Sequence, residues 1–328
     1  MSPALRWGIL GAGAIAATVT PDITGSPGST LTAVAARDLG RAQGFAAAHG
    51  ATRAYGSYQE LVDDPEVDVV YIATTHAQHH EHALLALEAG KPVLVEKAFA
   101  LNAAQGDEIV AAARRAQLFC MEAMWMRFNP LVRHAVELAH SGAIGDIVGV
   151  QGDLSRRFDY DPAGRLFDPA AGGGALLDLG VYPVTLAWLV LGRPDSIAAT
   201  GSLAPTGVDA TAALQWGYRD GRFAQLHSSA IAASPHTGLI IGTDGWLRLE
   251  SRIHCPTALT VHTAGAEQVI ADPHPGSGYD LEIAEVERCL GAGELQSPVV
   301  PLEDTLAILA TIDEARRQLG VRYPAEEA

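Results

Sequence analysis

Arg6-Trp7-Gly8-Ile9-Leu10-Gly11-Ala12-Gly13-Ala14-Ile15-Ala16 is the stretch that decides the fold of this 328-residue chain. An apolar run ends abruptly in two glycines spaced by one residue, and a helical pattern opens directly behind them. Gly11 permits a tight turn, Gly13 lets phosphates approach the backbone, and Ala16 lets helix and strand pack closely. The helix N-terminus then presents backbone N–H groups, those of Ala14 and Ile15 among them, and the positive end of its dipole. In a strand–turn–helix context near the start of the chain, this GxGxxA pattern predicts a dinucleotide-binding unit. The alternative is a plain glycine-rich turn.

Working outward, short apolar runs at Leu5–Leu10, Thr30–Ala36, Val67–Ile72, Pro92–Val95 and Leu118–Met121 alternate with helical stretches at Arg41–His49, His76–Ala89 and Asn102–Ala116. Nearly continuous apolar strands are those that helices cover on both faces. The alternation predicts an α/β fold with a doubly wound parallel sheet of Rossmann type over residues 1–122.

Beyond Met121 the pattern changes. Helix Asn129–Ser141, strand Ile147–Leu154, a loop Ser155–Gly173 and helix Gly174–Leu191 precede seven runs between Ser196 and Ala271, separated by turns such as Arg219-Asp220-Gly221. That spacing predicts an open, mostly antiparallel sheet. Helices Tyr279–Leu290 and Leu302–Leu319 close the chain. Residues 123–328 thus read as an α+β domain for substrate binding and oligomerisation.

Composition narrows the function. The chain has 22 Lys and Arg against 38 Asp and Glu, a formal charge of −16. A surface that negative repels nucleic acid and anionic lipid. Cys120, Cys255 and Cys289 are far apart, so neither a disulfide framework nor a zinc site is expected. There is no run of roughly 20 uninterrupted apolar residues and no leader-like start. No membrane association and a cytoplasmic location are therefore expected.

The second strand speaks to the dinucleotide. An NAD site places Asp or Glu about 20 residues past the glycines, on the ribose hydroxyls. Here the strand ends Ala35-Ala36-Arg37, with Arg41 one helical turn on. Guanidinium groups there suit a 2′-phosphate, so NADP is expected in preference to NAD. Asp38 is expected to point away or to cap the next helix.

Two further features carry chemistry. Lys97, after Glu96, leaves the carboxyl end of a parallel strand, where open α/β sheets bind ligands; a solvated lysine is the alternative. Asp178 and Tyr182 lie four apart on an otherwise apolar helix, and polar groups so placed need partners. The cluster His76-Ala77-Gln78-His79-His80-Glu81-His82 has one i, i+4 pair but no HExxH, and no metal is expected.

Gly11-Ala12-Gly13, Glu96-Lys97 and Gly174-x-x-x-Asp178-x-x-x-Tyr182 together resemble the Gfo/Idh/MocA (glucose–fructose oxidoreductase/inositol dehydrogenase) family over essentially the whole chain. Residues Glu122–Phe128 (EAMWMRF) and Arg165–Pro169 (RLFDP) resemble its branch holding dimeric dihydrodiol dehydrogenase and NADP-dependent xylose dehydrogenase. The resemblance implies that Lys97, Asp178 and Tyr182 form the catalytic group. It places Thr74, Thr75, His76, His79, Glu96, Lys97 and Trp125 beside the cofactor, and it assigns the open sheet face to homodimers or larger homo-oligomers. The family's Glu-Lys-Pro is Glu-Lys-Ala here, with Ala98. Trp125, Phe158 and Arg165 are candidates to line a substrate pocket or to pack between domains.

Oxidising a carbinol needs a base for the hydroxyl proton. Tyr182 or a neutral Lys97 would serve, while Asp178 would hold the hydroxyl or orient the lysine. The expectation is NADP-dependent hydride transfer at a CH–OH carbon of a small polyhydroxylated substrate, a sugar or cyclic diol. A keto-sugar or anhydrofructose reductase would use the same residues. A regulatory protein that senses NADP is the non-enzymatic alternative.

Overall fold

In the computed structural model, the structure describes residues 4–272, 274 and 278–326. The chain divides into two compact units: Met1–Met124 with Gly276–Leu306, and Trp125–Pro275 with Ala307–Ala328.

The first unit is built on a six-stranded sheet, β1 (Leu5–Leu10), β2 (Ser29–Ala35), β3 (Arg53–Tyr55), β4 (Val69–Ile72), β5 (Val93–Glu96) and β6 (Cys120–Ala123), in the order β3-β2-β1-β4-β5-β6. Every pairing is parallel. Helices α1 (Ala14–Gly25), α2 (Leu39–His49), α3 (Tyr58–Val62), α4 (His76–Glu88) and α5 (Ala103–Ala116) make the crossovers. The strand order reverses between β1 and β4, which opens the ligand crevice at the strands' carboxyl ends. The strand and helix stretches read from sequence are present with ends shifted by a few residues. β3 and α3 lack a sequence signal because each is very short; among the described residues β3 pairs only with β2, and Arg53 is exposed.

The single cut read at residues 122/123 differs from this partition. Residues 276–306 return to the first unit because α8 (Tyr279–Ala292) carries buried Ile283, Val286 and Cys289 and packs on α1. Its Glu287 also accepts hydrogen bonds from the hydroxyls of Ser26 (2.6 Å) and Ser29 (2.5 Å). The helix α9 (Leu302–Leu319) then carries the chain into the second unit.

That unit holds α6 (Pro130–His140), β7 (Ile147–Ser155), α7 (Val181–Leu191), β8 (Ser196–Leu203), β9 (Asp209–Gly217), β10 (Phe223–Ser229), β11 (Gly238–Gly242), β12 (Gly245–Glu250), β13 (Ala258–Thr263) and β14 (Ala266–Ala271). Its eight strands run β14-β13-β12-β11-β7-β10-β9-β8, antiparallel except for the parallel pair β7–β10. The helix α7 packs on β7 and covers one face. On the sheet a depression of about 600 Å³ is lined by Gln151, Asp153, Gln215, Gln225, His227 and Arg248, among others.

The spacing predicts one helix over Gly174–Leu191. Instead a π turn, Leu176–Gly180, precedes α7. Pro183 accounts for it: proline cannot donate to the Leu179 carbonyl, and its ring crowds that oxygen. A wider turn relieves the conflict. By length and composition Pro169–Leu191 could cross a membrane, but 83% of its most apolar window is buried within the protein, as in a core helix.

Candidate active site

In the first unit the glycine turn has the shape a dinucleotide requires. Gly11 adopts φ +104°, and a Cβ there would lie 2.7 Å from the Ala73 carbonyl oxygen. A side chain on Gly13 would meet only Ala73 O, at 4.0 Å, so room remains above the turn. The N-terminus of α1 has no side-chain cap and no acid in its first turn, which leaves donors and dipole for phosphates. Asp38 caps α2 by accepting from Arg41 N at 2.7 Å, as read from sequence. The Arg41 guanidinium donates to Ala12 O at 3.1 Å, directly beside the turn. Arg37 is exposed, and its charge acts on Tyr58 and His82. The Arg41 guanidinium thus lies beside the glycine turn, and the nearby acid Asp38 is engaged as a helix cap.

At the end of β5 the lysine turn is held from α4. His76 Nε2 lies 3.2 Å from the Lys97 carbonyl oxygen, and His79 Nδ1 lies 2.8 Å from that of Ala98. The Lys97–Ala98 peptide bond is cis. Burial pushes the His79 imidazole down to about 4, opposed by the carbonyls of Ala98 and Thr74; its Nε2 lies 3.2 Å from Thr74 O. His80 turns the other way to pair with Glu108 at 2.7 Å, and Thr74 Oγ1 bonds His82 Nδ1 at 3.0 Å. The histidines thus serve different neighbours rather than a common point. Thr75 is the N-cap residue of α4, and its hydroxyl donates to Gln78 Oε1 at 3.3 Å.

By the lysine turn, Glu96, which the resemblance placed beside the cofactor, is joined by the buried carboxyls of Glu122 and Glu282, which the sequence reading gave no role. Glu96 accepts from the Tyr71 hydroxyl and from Lys97 N, the latter at 3.1 Å. Glu122 accepts from Thr305 Oγ1 at 2.8 Å and Phe99 N at 3.3 Å. Glu282, on α8, is 0% exposed, and neither carboxyl oxygen has a hydrogen-bond partner among the described residues. Burial, opposed by Tyr71 and Lys97, pushes Glu96 up to about 7. Burial and the charges of Glu96, Asp22 and Glu122 push Glu282 well above the usual carboxylate range.

In the second unit the two polar groups of the apolar helix are both partnered. Tyr182 is 5% exposed, and its oxygen accepts the indole N–H of Trp125 at 2.9 Å. His254 packs against both rings, its centroid 4.8 Å from that of Tyr182 and 5.4 Å from that of Trp125. It was missed because it sits in the β12–β13 connection, where no spacing rule marks it. Asp178 receives both terminal nitrogens of Arg165 at 3.1 Å, a bidentate pair. The predicted residues Trp125, Tyr182, Asp178 and Arg165 therefore form two close pairs. Phe158 has other company: Arg156 lies over its ring at 5.1 Å, and its amide donates to Ala230 O.

Residues 5–124 match the model of the oxidoreductase family with an NAD-binding Rossmann fold, and residues 132–248 match the GFO/IDH/MocA C-terminal domain. The chain is 38% identical over 336 residues to a trans-1,2-dihydrobenzene-1,2-diol dehydrogenase from Mus musculus, covering 99% of each. It is 37% identical to the Homo sapiens protein of that name, again over 99% of each. Among solved structures, a 3-ketoreductase from Actinomadura kijaniata in complex with NADP and TDP-benzene superposes with a TM-score of 0.87 at 25% identity, covering 96% of this chain and 98% of that one.

The buried acids set a pH dependence whose sign follows from their direction. A carboxyl raised in the folded state keeps its proton there, while the unfolded chain loses it above the ordinary 4.5. This contribution therefore destabilises the fold increasingly as pH rises from about 4.5, at roughly 1.4 kcal/mol per unit until the folded group ionises. Glu282→Gln removes it, so the Tm advantage of that variant over wild type is expected to widen from pH 5 to pH 8. Circular dichroism melts giving a constant difference would contradict this assignment.

Proposed function

The chain belongs to the GFO/IDH/MocA oxidoreductase family, and from that premise we propose that it is an NADP-dependent dehydrogenase of a cyclic trans-diol or a sugar. The observation that carries the reading is the Trp125–Tyr182 pair, a phenol oxygen held by an indole donor on a buried helix. The dihydrodiol dehydrogenase relatives support the diol, and the NADP-bound ketoreductase supports the cofactor and chemistry at a sugar-like carbon.

The residues present fit the cofactor. Gly11, Gly13, Ala14 and Ile15 would take the pyrophosphate, Arg37 and Arg41 the 2′-phosphate. Thr74, Thr75, His76, His79, Glu96, Lys97 and Trp125 would border the nicotinamide half. The nicotinamide, when bound, supplies the hydride acceptor.

Lys97, Asp178 and Tyr182 form the proposed catalytic group. As its phenolate, Tyr182 takes the substrate hydroxyl proton while the hydride leaves for the nicotinamide, and the Trp125 N–H stabilises the negative charge that its oxygen must carry for this. Asp178, oriented by its bidentate pair with Arg165, accepts a hydrogen bond from a substrate hydroxyl and fixes its orientation. Lys97 adds positive charge where the alkoxide develops. Arg165, Phe158 and Trp125 line the substrate side. In the reverse direction Tyr182 returns the proton, so the same residues reduce a ketone. A cytoplasmic location fits such chemistry. The open sheet face around Gln151, Gln225 and Arg248 is the proposed homodimer contact.

Purified protein is expected to turn over NADP+ with a trans-dihydrodiol or an aldose, at a kcat/KM at least about tenfold above that with NAD+. The double variant Arg37→Ala/Arg41→Ala is expected to lose roughly ten- to a hundredfold with NADP+ and little with NAD+. A preference for NAD+ in the wild type would refute the cofactor assignment. Tyr182→Phe should lower kcat by roughly 10²–10⁴ while the NADP+ Kd stays within about twofold of wild type; undiminished turnover removes Tyr182 from the chemistry. Light scattering is expected to give at least a dimer mass, and a monomer would rule out the sheet contact.

A further inference from the structure

The turn that leads into the helix bearing Asp178 and Tyr182 is gripped from behind by residues outside the site. Gly174 adopts φ +119°, and a Cβ there would sit 2.3 Å from Asp209 Oδ1 and 3.3 Å from the Tyr323 hydroxyl. Asp209, the first residue of β9, is fully buried, and its Oδ2 accepts from Leu176 N at 2.6 Å. Tyr323 is 1% exposed and donates its hydroxyl proton to Gly173 O at 2.5 Å. Behind Tyr323, Arg316 stacks over the ring at 4.8 Å and is itself fixed by Glu326 (2.6 Å) and Asp313 (3.0 Å).

The same turn reaches the arginine of the site. Gly174 N donates to Leu166 O at 2.8 Å, and a Cβ on Gly173 would lie 2.5 Å from that oxygen and 2.9 Å from Arg165 O. One turn therefore fixes both the backbone beside Arg165 and the start of the helix that presents its partner Asp178. The π turn Leu176–Gly180 starts at the N–H that Asp209 receives. Helix N-termini lack internal acceptors, and here the acceptor comes from another strand rather than from the cap residue Ala175.

We infer that Asp209 and Tyr323 are positioning residues for the reaction: they clamp the Gly173–Gly174 turn and so hold Arg165, Asp178 and Tyr182 in productive register. A displacement of about 1 Å at reacting groups costs on the order of a hundredfold in rate, so loosening this turn should appear in kcat. The inference rests on the reading of Asp178 and Tyr182 as catalytic.

Asp209→Ala, Asp209→Asn and Tyr323→Phe would be compared with wild type in the full-length protein, using NADP+ and the diol or sugar that gives the highest wild-type turnover. The readouts are kcat, substrate KM, NADP+ Kd by fluorescence, and amide exchange over residues 174–182. Asp209→Ala is expected to lower kcat by roughly ten- to a hundredfold, with faster exchange over 174–182 and an NADP+ Kd within about twofold of wild type. Asp209→Asn keeps an acceptor oxygen and is expected to recover most of that loss, while Tyr323→Phe should lower kcat at least about threefold. A folded Asp209→Ala with kcat within about twofold of wild type overturns the inference, as does a Kd that weakens in step with kcat. If Asp209→Ala does not fold, Tyr323→Phe decides by the same criterion. Wild type inactive on every substrate removes the catalytic reading and this inference with it; active wild type with unaffected variants removes the inference alone.

Discussion

A carboxylate and a phenol buried on a helix of leucines, valines and alanines must each find a partner, or the helix cannot be buried at all. An unpartnered polar group in such a place costs several kcal/mol, a large share of a domain's net stability. The second unit meets this demand with Trp125 for Tyr182 and a bidentate Arg165 for Asp178. Those contacts are also what a hydride-transfer site needs: a proton acceptor whose charged form is stabilised, and a fixed carboxylate to orient a hydroxyl. In the proposed reaction the same hydrogen bonds would serve both stability and chemistry.

In the first unit the governing constraint is the reversal of strand order between β1 and β4. It opens the sheet's carboxyl edge, and Gly11 lets the chain turn there without striking Ala73. From α4, His76 and His79 reach the carbonyls of Lys97 and Ala98, so the backbone of the lysine turn is held from the neighbouring helix. The buried carboxyls of Glu96 and Glu282 by that turn, both raised by burial, work against stability as pH rises. Glu282 in particular is buried with neither oxygen bonded among the described residues, an arrangement tolerated only in its protonated form.

Periodicity made most elements legible, and some of their limits, Leu5–Leu10, Ser196–Leu203 and Leu302–Leu319, were readable to the residue. The residues proposed for catalysis were also visible, because carboxylate and phenol four apart on an apolar helix are conspicuous. What stayed hidden depends on distant contacts. Nothing near residues 276–306 says that they rejoin the first unit; that follows from Ile283, Val286 and Glu287 meeting α1 and the β2 approach. The π turn follows from Pro183 meeting the Leu179 carbonyl, a conflict that apolar spacing does not report. His254, Asp209 and Tyr323 reach the site region only through the fold, from a strand connection, a strand start and the C-terminal segment.

Trp125→Phe, which keeps an aromatic side chain but removes the indole N–H with its five-membered ring, examines most directly the bond between Trp125 and the Tyr182 oxygen. With NADP+ saturating, kcat/KM for the best diol or sugar is predicted to fall roughly ten- to a hundredfold, the worth of one hydrogen bond to a group that becomes charged. A folded Trp125→Phe protein with the kcat/KM of wild type would contradict it.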